Sequence, residues 1–148
     1  MSYIIREIAS EDEREKVFQL RKEVFTEEQG IPAQLDKDGR DKDSRHVIAL
    51  NEKEEIMAAG RLSPHPHGNI GVLSRIVVSK DHRKKGLGKK VIKVLEALAS
   101  EDAYKALQLK PHAHLEKFYE GLGYKTLSKD EAPAGQHPLL LMEKRMGD

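Results

Sequence analysis

Residues 70–99 read IGVLSRIVVSKDHRKKGLGKKVIKVLEALA: an apolar run, a basic stretch holding two glycines, and a second apolar run with a different period. The opening IGVLSRIVVS (70–79) is rich in branched residues and predicts a central strand buried on both faces. In the closing part Val91, Leu95 and Leu98, with Ile92 and Ala99 beside them, recur at helical spacing and predict an amphipathic helix. The junction, HRKKGLGKK (82–90), therefore opens a helix. Backbone N–H groups at a helix start lack intrahelical partners and carry the positive end of the dipole, so they suit a phosphate. Gly86 and Gly88 let the backbone come close to such an anion, and Arg83, Lys84, Lys85 and Lys89 add charge at the rim. From these residues alone the anion stays open between cofactor phosphates, a nucleic-acid backbone and solvent ions. The spacing excludes two familiar phosphate motifs. A dinucleotide fingerprint needs a third glycine where Val91 stands, and a Walker loop needs Ser or Thr after the Gly-Lys pair, where Lys90 stands.

Outward from this unit, YIIREI (3–8) reads as a strand, and Ser10 as the N-cap of a helix with acidic residues in its first turn. Val17, Leu20, Arg21 and Val24 carry that helix toward Phe25. AQLDKDGRDKDS, after Pro32, reads as a solvated surface loop, an acidic lip able to attract a cationic amine. HVIALN (46–51) and EIMAAGRL (55–62) form a hairpin. KALQLKP (105–111) is a strand, HLEKFYEGLG a short helix, and YKTL and HPLLLMEKRM closing strands. The order predicts one mixed α/β domain over residues 1–148, with helices packed on a single sheet.

Composition narrows the function. The chain has no cysteine, which removes disulfides, thiolate metal sites and a cysteine acyl-enzyme. Its 26 basic and 25 acidic residues nearly cancel, so it has no general attraction to nucleic acid, and the basic run lacks interleaved aromatics on which bases would stack. No stretch is apolar for long enough to serve as a signal peptide or cross a membrane, which gives the expectation of a cytoplasmic protein. Asp36, Asp38, Asp41 and Asp43 have the spacing of a calcium loop, but position 47, where its glutamate belongs, is Val; no metal is expected.

Val77-Val78-Ser79 followed by Arg83-Lys84-Lys85-Gly86-Leu87-Gly88 resembles motif A of the GCN5-related N-acetyltransferases (GNAT), a strand and then Arg/Gln-x-x-Gly-x-Gly/Ala opening a helix. HLEKFYEGLGYK (114–125) resembles the same family's FY…GF segment, in the family's order. LRKEVFTEEQG, the acidic loop and the histidine that follows are similar to the small ElaA/YjcF-like members. The resemblance implies a GNAT-type mixed, mainly antiparallel central sheet flanked by helices. It implies acetyl-CoA as co-substrate and direct transfer of its acetyl group to a small-molecule amine.

By the same resemblance residues 83–89 hold the pyrophosphate, and the strand at Val77 and Val78 pairs with the pantetheine arm, a backbone N–H there polarising the thioester carbonyl. Tyr119 matches a tyrosine that protonates the departing sulfur, and His137 resembles a histidine before the last strand of some small-molecule acetyltransferases. Arg21, Glu28, Gln29, Arg75 and His114 border the acceptor site, the two arginines as holders of an acceptor carboxylate or phosphate. A homodimer is compatible with the family. The competing readings are a CoA-binding sensor without catalysis and a nucleic-acid module using residues 82–90.

Overall fold

The structure, a computed structural model, describes residues 3–130 and 138–147. Strand β1 (Tyr3–Glu7) leads to helix α1 (Glu11–Arg21), whose Ser10 side chain accepts from the Glu13 N–H, as an N-cap should. The helix does not stop at Arg21. It widens into a π-helical turn over Lys22–Glu28, with the Gln29 N–H bonded to the Val24 carbonyl at 3.0 Å. A single turn α2 (Ala33–Asp36) and a 3-10 turn (Asp41–Asp43) follow, so the acidic stretch is more structured than its composition predicts. Next come β2 (Arg45–Asn51), β3 (Ile56–Pro64), β4 (Ile70–Val78), helix α3 (Leu87–Glu101) and β5 (Ala106–Leu109). A 3-10 turn (Ala113–Leu115) runs into α4 (Glu116–Gly121), and β6 (Lys125–Lys129) and β7 (Leu140–Arg145) end the chain.

The strands form one sheet in the order β1-β2-β3-β4-β5-β7-β6, in which only β4 and β5 run parallel. The fold is thus the mixed, mainly antiparallel α/β arrangement expected. Both faces of the sheet are covered, which is why β2 and β3 read as continuous apolar runs. Val47 and Ala49 point into the larger cluster, with Val91, Leu95, Leu107 and Tyr124. Ile48 and Leu50 point the other way, onto Val17, Leu20 and Val24 of the first helical segment. No helix among the described residues is long and apolar enough to cross a membrane.

Two irregularities shape the sheet's centre. In the β3–β4 ladder Ala59 faces Val77 and Arg61 faces Ser74, so Arg75 and Ile76 together oppose Gly60. This is a bulge in β4, and Arg75 takes a left-handed φ of 54° there. The parallel β4–β5 ladder is short: only Ile70, Gly71 and Val72 pair, with Ala106, Leu107 and Gln108. Beyond Val72 the two strands separate, and among the described residues the outer edge of β4 has no strand partner there.

Gly60 is required by close approach. A Cβ there would lie 2.8 Å from both Leu95 Cδ1 and Val91 Cγ1 of α3. Gly60→Ala is therefore expected to push α3 off the bulge and destabilise the fold by about 1–3 kcal/mol. Thermal unfolding would show this as a Tm lowered by several degrees, and an unchanged Tm would contradict it.

Candidate active site

The separation of β4 and β5 opens a cavity of about 380 Å³. One wall is Leu73 to Ile76 of β4, and the other is Leu109 to His112 after β5. Phe25, Gln29 and Ile31 from the widened turn and Leu35 and Asp36 from α2 close one side, and Leu115 and Tyr119 line another. The π turn is what aims this segment: Val24 is driven into the core while Phe25 and Gln29 face the cavity.

At the far end of β4 the basic stretch makes the turn into α3. Gly86 caps the helix at φ 74°, and no side chain caps its first N–H groups. Lys84 is also left-handed, at φ 66°, whereas Lys85 between them is not. Such alternation turns successive N–H groups toward one point and forms an anion-binding concavity. Leu87 is buried and pins the turn to the core, while Arg83, Lys84, Lys85, Gly86 and Lys89 are exposed. A Cβ on Gly88 would only touch Val78 Cγ2 at 3.7 Å, so its absence leaves the approach to the helix start open. These residues fit a pyrophosphate, and the unpaired β4 edge fits an extended amide chain such as a pantetheine arm.

The expected site residues do not all meet. Val77 packs beneath the first helical segment and Val78 against the α3 side, so their side chains serve the core and only their main chain borders the open edge. Gln29, Arg75 and Tyr119 line the cavity; Arg21 and His114 do not. His137 lies outside the described residues. Glu28 turns away from the cavity and grips Arg83 in a bidentate pair, with Nη–Oε distances of 2.5 and 2.6 Å. The Glu28–Arg83 pair ties the widened turn to the basic loop, a contact between two expected subsites that spacing could not show.

The acidic stretch corrects the expectation of a solvated lip. Arg21, 1% exposed, donates from Nε to Asp36 Oδ2 at 3.0 Å and from Nη1 to Asp41 Oδ1 at 2.7 Å. Arg61 forks onto Asp38 at 2.7 and 2.9 Å and also reaches Asp41 at 3.1 Å. Arg75 Nε lies 2.8 Å from Asp36 Oδ1 and donates to the Asp36 carbonyl at 3.2 Å; its Nη2 reaches Asp38. Three arginines and three aspartates thus balance, and the guanidinium groups of Arg21 and Arg75 are engaged with this loop rather than offered to an acceptor anion. Buried His46 closes the cluster. Burial pushes its imidazole down, so it stays neutral and donates from Nε2 to the Asp41 carbonyl at 3.0 Å. The sequence reading gives Arg61 no role in the site and takes His46 only as part of the family resemblance, because the aspartate partners of Arg61 lie 20 and 23 residues away and leave no local pattern.

Tyr119 is buried, and desolvation alone pushes its phenol up. It keeps its proton at neutral pH, and its side chain lines the cavity. Among the described residues no group of three or more His, Asp or Glu side chains is placed to hold a metal.

An open strand edge thus leads to a glycine-capped helix start, with buried Tyr119 lining the gap between β4 and β5. Residues 8–146 match the family described as "Acetyltransferase (GNAT) domain". The chain belongs to the GNAT acetyltransferase family. It is 32% identical over 135 residues to the uncharacterized N-acetyltransferase YjcF of Bacillus subtilis (strain 168), covering 91% of this chain and 94% of YjcF. It is 31% identical over 110 residues to ElaA of Escherichia coli (strain K12), over 73% of this chain and 72% of ElaA. The ElaA crystal structure superposes with a TM-score of 0.82 over 97% of this chain and 99% of that one, at 24% identity. An aminoglycoside 6'-N-acetyltransferase complexed with coenzyme A superposes with a TM-score of 0.79 over 96% of each chain, at 19% identity.

Two outcomes follow from the charges. Hydrogen bonding from Arg61 holds the Asp38 carboxyl well below the usual carboxylate range, so its stabilisation is complete above the unfolded value and is lost as pH falls through the folded one. Asp38→Asn should destabilise the protein by about 1–3 kcal/mol at neutral pH and flatten the acid limb of stability against pH. Chemical denaturation at a series of pH values reads both effects. Glu28→Gln should release Arg83 and tighten binding of coenzyme A a few-fold, measured by calorimetry; weaker binding would mean that Glu28 holds the loop in its binding shape.

Proposed function

We propose that the protein is an N-acetyltransferase that moves an acetyl group from acetyl-CoA directly to the primary amine of a small molecule. The observation that carries this reading is the continuity of the unpaired β4 edge with the uncapped start of α3. One extended ligand can be held by the chain's own N–H groups at both places. When bound, acetyl-CoA supplies an activated acyl group. The backbone N–H groups and cations of residues 83–89 hold its pyrophosphate, and the main chain at Val77 and Val78 orients its arm. A β4 N–H polarises the acyl carbonyl. Tyr119 gives its proton to the departing sulfur, and burial keeps that proton in place until it is needed. Phe25, Ile31, Leu35 and Leu115 exclude water around the acceptor and favour a compact amine with an apolar body. Gln29 offers that body one neutral polar contact.

The test is a calorimetric titration of coenzyme A, then thiol release from acetyl-CoA with benzylamine, 2-phenylethylamine, glutamate and spermidine. Saturable binding, with turnover highest for the two arylalkylamines, is expected. Gly86→Glu should abolish binding, since it places a carboxylate in the anion turn and a side chain at φ 74°. Tyr119→Phe should lower turnover about 10²-fold while coenzyme A binding holds. Binding without thiol release for any amine would favour a sensor. Absence of binding by a folded protein would remove the acetyltransferase reading.

A further inference from the structure

A direct transfer leaves one duty without an owner: the acceptor arrives as an ammonium and must lose a proton before its nitrogen can attack. Among the described residues, the titratable side chains lining the cavity are Asp36, Arg75, Lys110, His112 and Tyr119. Asp36 is committed to Arg21 and Arg75 in the ion-paired cluster. Arg75 and Lys110 carry positive charge themselves. Tyr119 is needed with its proton on, and burial holds it there. That leaves His112. Imidazole is the side chain most often used to take a proton from a reacting group.

The main chain around His112 is fixed on three sides. The Ala113 N–H donates to the Pro138 carbonyl, the Leu140 N–H to the Pro111 carbonyl, and the Leu115 N–H to the His112 carbonyl, each at 2.9 Å. A bridge to Leu139 of the incoming last strand completes the seat. The ring stacks on His114 with centroids 5.8 Å apart and planes 17° from parallel. Both residues are exposed, and of the two only His112 lines the cavity. Among the described residues, the groups that stack on the His112 ring or share its cavity include His114 and Lys110 on its own segment, Tyr119 on α4, and Asp36 and Arg75 across the gap.

We propose that His112 is the general base of this protein, accepting the ammonium proton of the acceptor on a ring nitrogen, directly or through one water. This rests on the acyl-transfer reading above and assigns the step that reading leaves open. One proton passes from the acceptor nitrogen to His112 and on to solvent. The nitrogen–carbon bond then forms and the carbon–sulfur bond breaks. The sulfur takes the Tyr119 proton, and the second proton shed by nitrogen restores the tyrosine.

The experiment measures kcat/KM for 2-phenylethylamine with acetyl-CoA across pH in the wild type, His112→Gln and His137→Gln, with coenzyme A calorimetry on each. His112→Gln should bind coenzyme A as the wild type does and lose about 10²-fold in kcat/KM near neutrality. The deficit should shrink as pH rises, because the acceptor then sheds its own proton, and added imidazole should restore part of the rate. His65→Gln, measured alongside as a control on the turn between β3 and β4 outside the cavity lining, should keep the wild-type profile. A wild-type profile in His112→Gln, or the loss appearing in His137→Gln instead, would overturn the assignment. A wild type that binds coenzyme A but releases no thiol with this amine would overturn the acyl-transfer reading, and the assignment with it. His112→Asn repeats the test should the glutamine variant bind coenzyme A poorly.

Discussion

The structure depends on a ladder that stops early. Three residues of β4 pair with β5, and then a parallel pair that elsewhere would run on is pulled apart. Backbone donors and acceptors of a central strand are costly to leave without partners, so a gap at the middle of a sheet persists only where something other than a strand meets them. The bulge at Arg75 and Ile76 is the local cause on the β3 side. It adds a residue to β4 alone, turns the strand, and stores a left-handed arginine that only surrounding contacts can hold. Gly60 accommodates the bulge by letting α3 settle against β3, and α3 in turn sets the position of the anion turn at its start.

The ion cluster answers the question of what holds Arg75 there. Its guanidinium is fastened to Asp36 and Asp38, which are themselves fastened to Arg21 and Arg61. A buried guanidinium with too few carboxylates would be expensive, and here each positive charge has its counterpart. The cluster therefore fixes the loop carrying Leu35 and Asp36 across the mouth of the cavity. Its gain is shape: one wall of the cavity is set before any ligand arrives.

Much of this was legible in the chain. Periodicity located β4 and α3, because a doubly covered strand and an amphipathic helix leave different patterns, and Gly86 marked the turn because only glycine takes a positive φ there without strain. The Ser10 cap and the hairpin of β2 and β3 were equally local and equally visible. What escaped was everything that depends on distant partners. The aspartates between 36 and 41 look solvated until the arginines from three other elements are brought to them. The widened turn at Lys22–Glu28 has no composition of its own, so the sequence read as ordinary helix. His112 and His114 lie two residues apart at a 3-10 turn, where no period says which of the two lines the cavity.

The widened turn also links the two halves of the site. In a regular helix Phe25, Glu28 and Gln29 would fall on a single broad face and serve one purpose. The extra residue per turn separates them, sending Phe25 and Gln29 to the cavity and Glu28 to Arg83. A ligand phosphate that competes for Arg83 would release the carboxylate partner of a segment that also lines the cavity. Anion capture at one end of β4 and the shape of the cavity at its middle are thus mechanically adjacent, joined by a turn of one helix and a single exposed ion pair. That pair is worth little on its own in water. Its weakness suits it to this place, since a contact that must yield to a ligand cannot be one on which the fold relies.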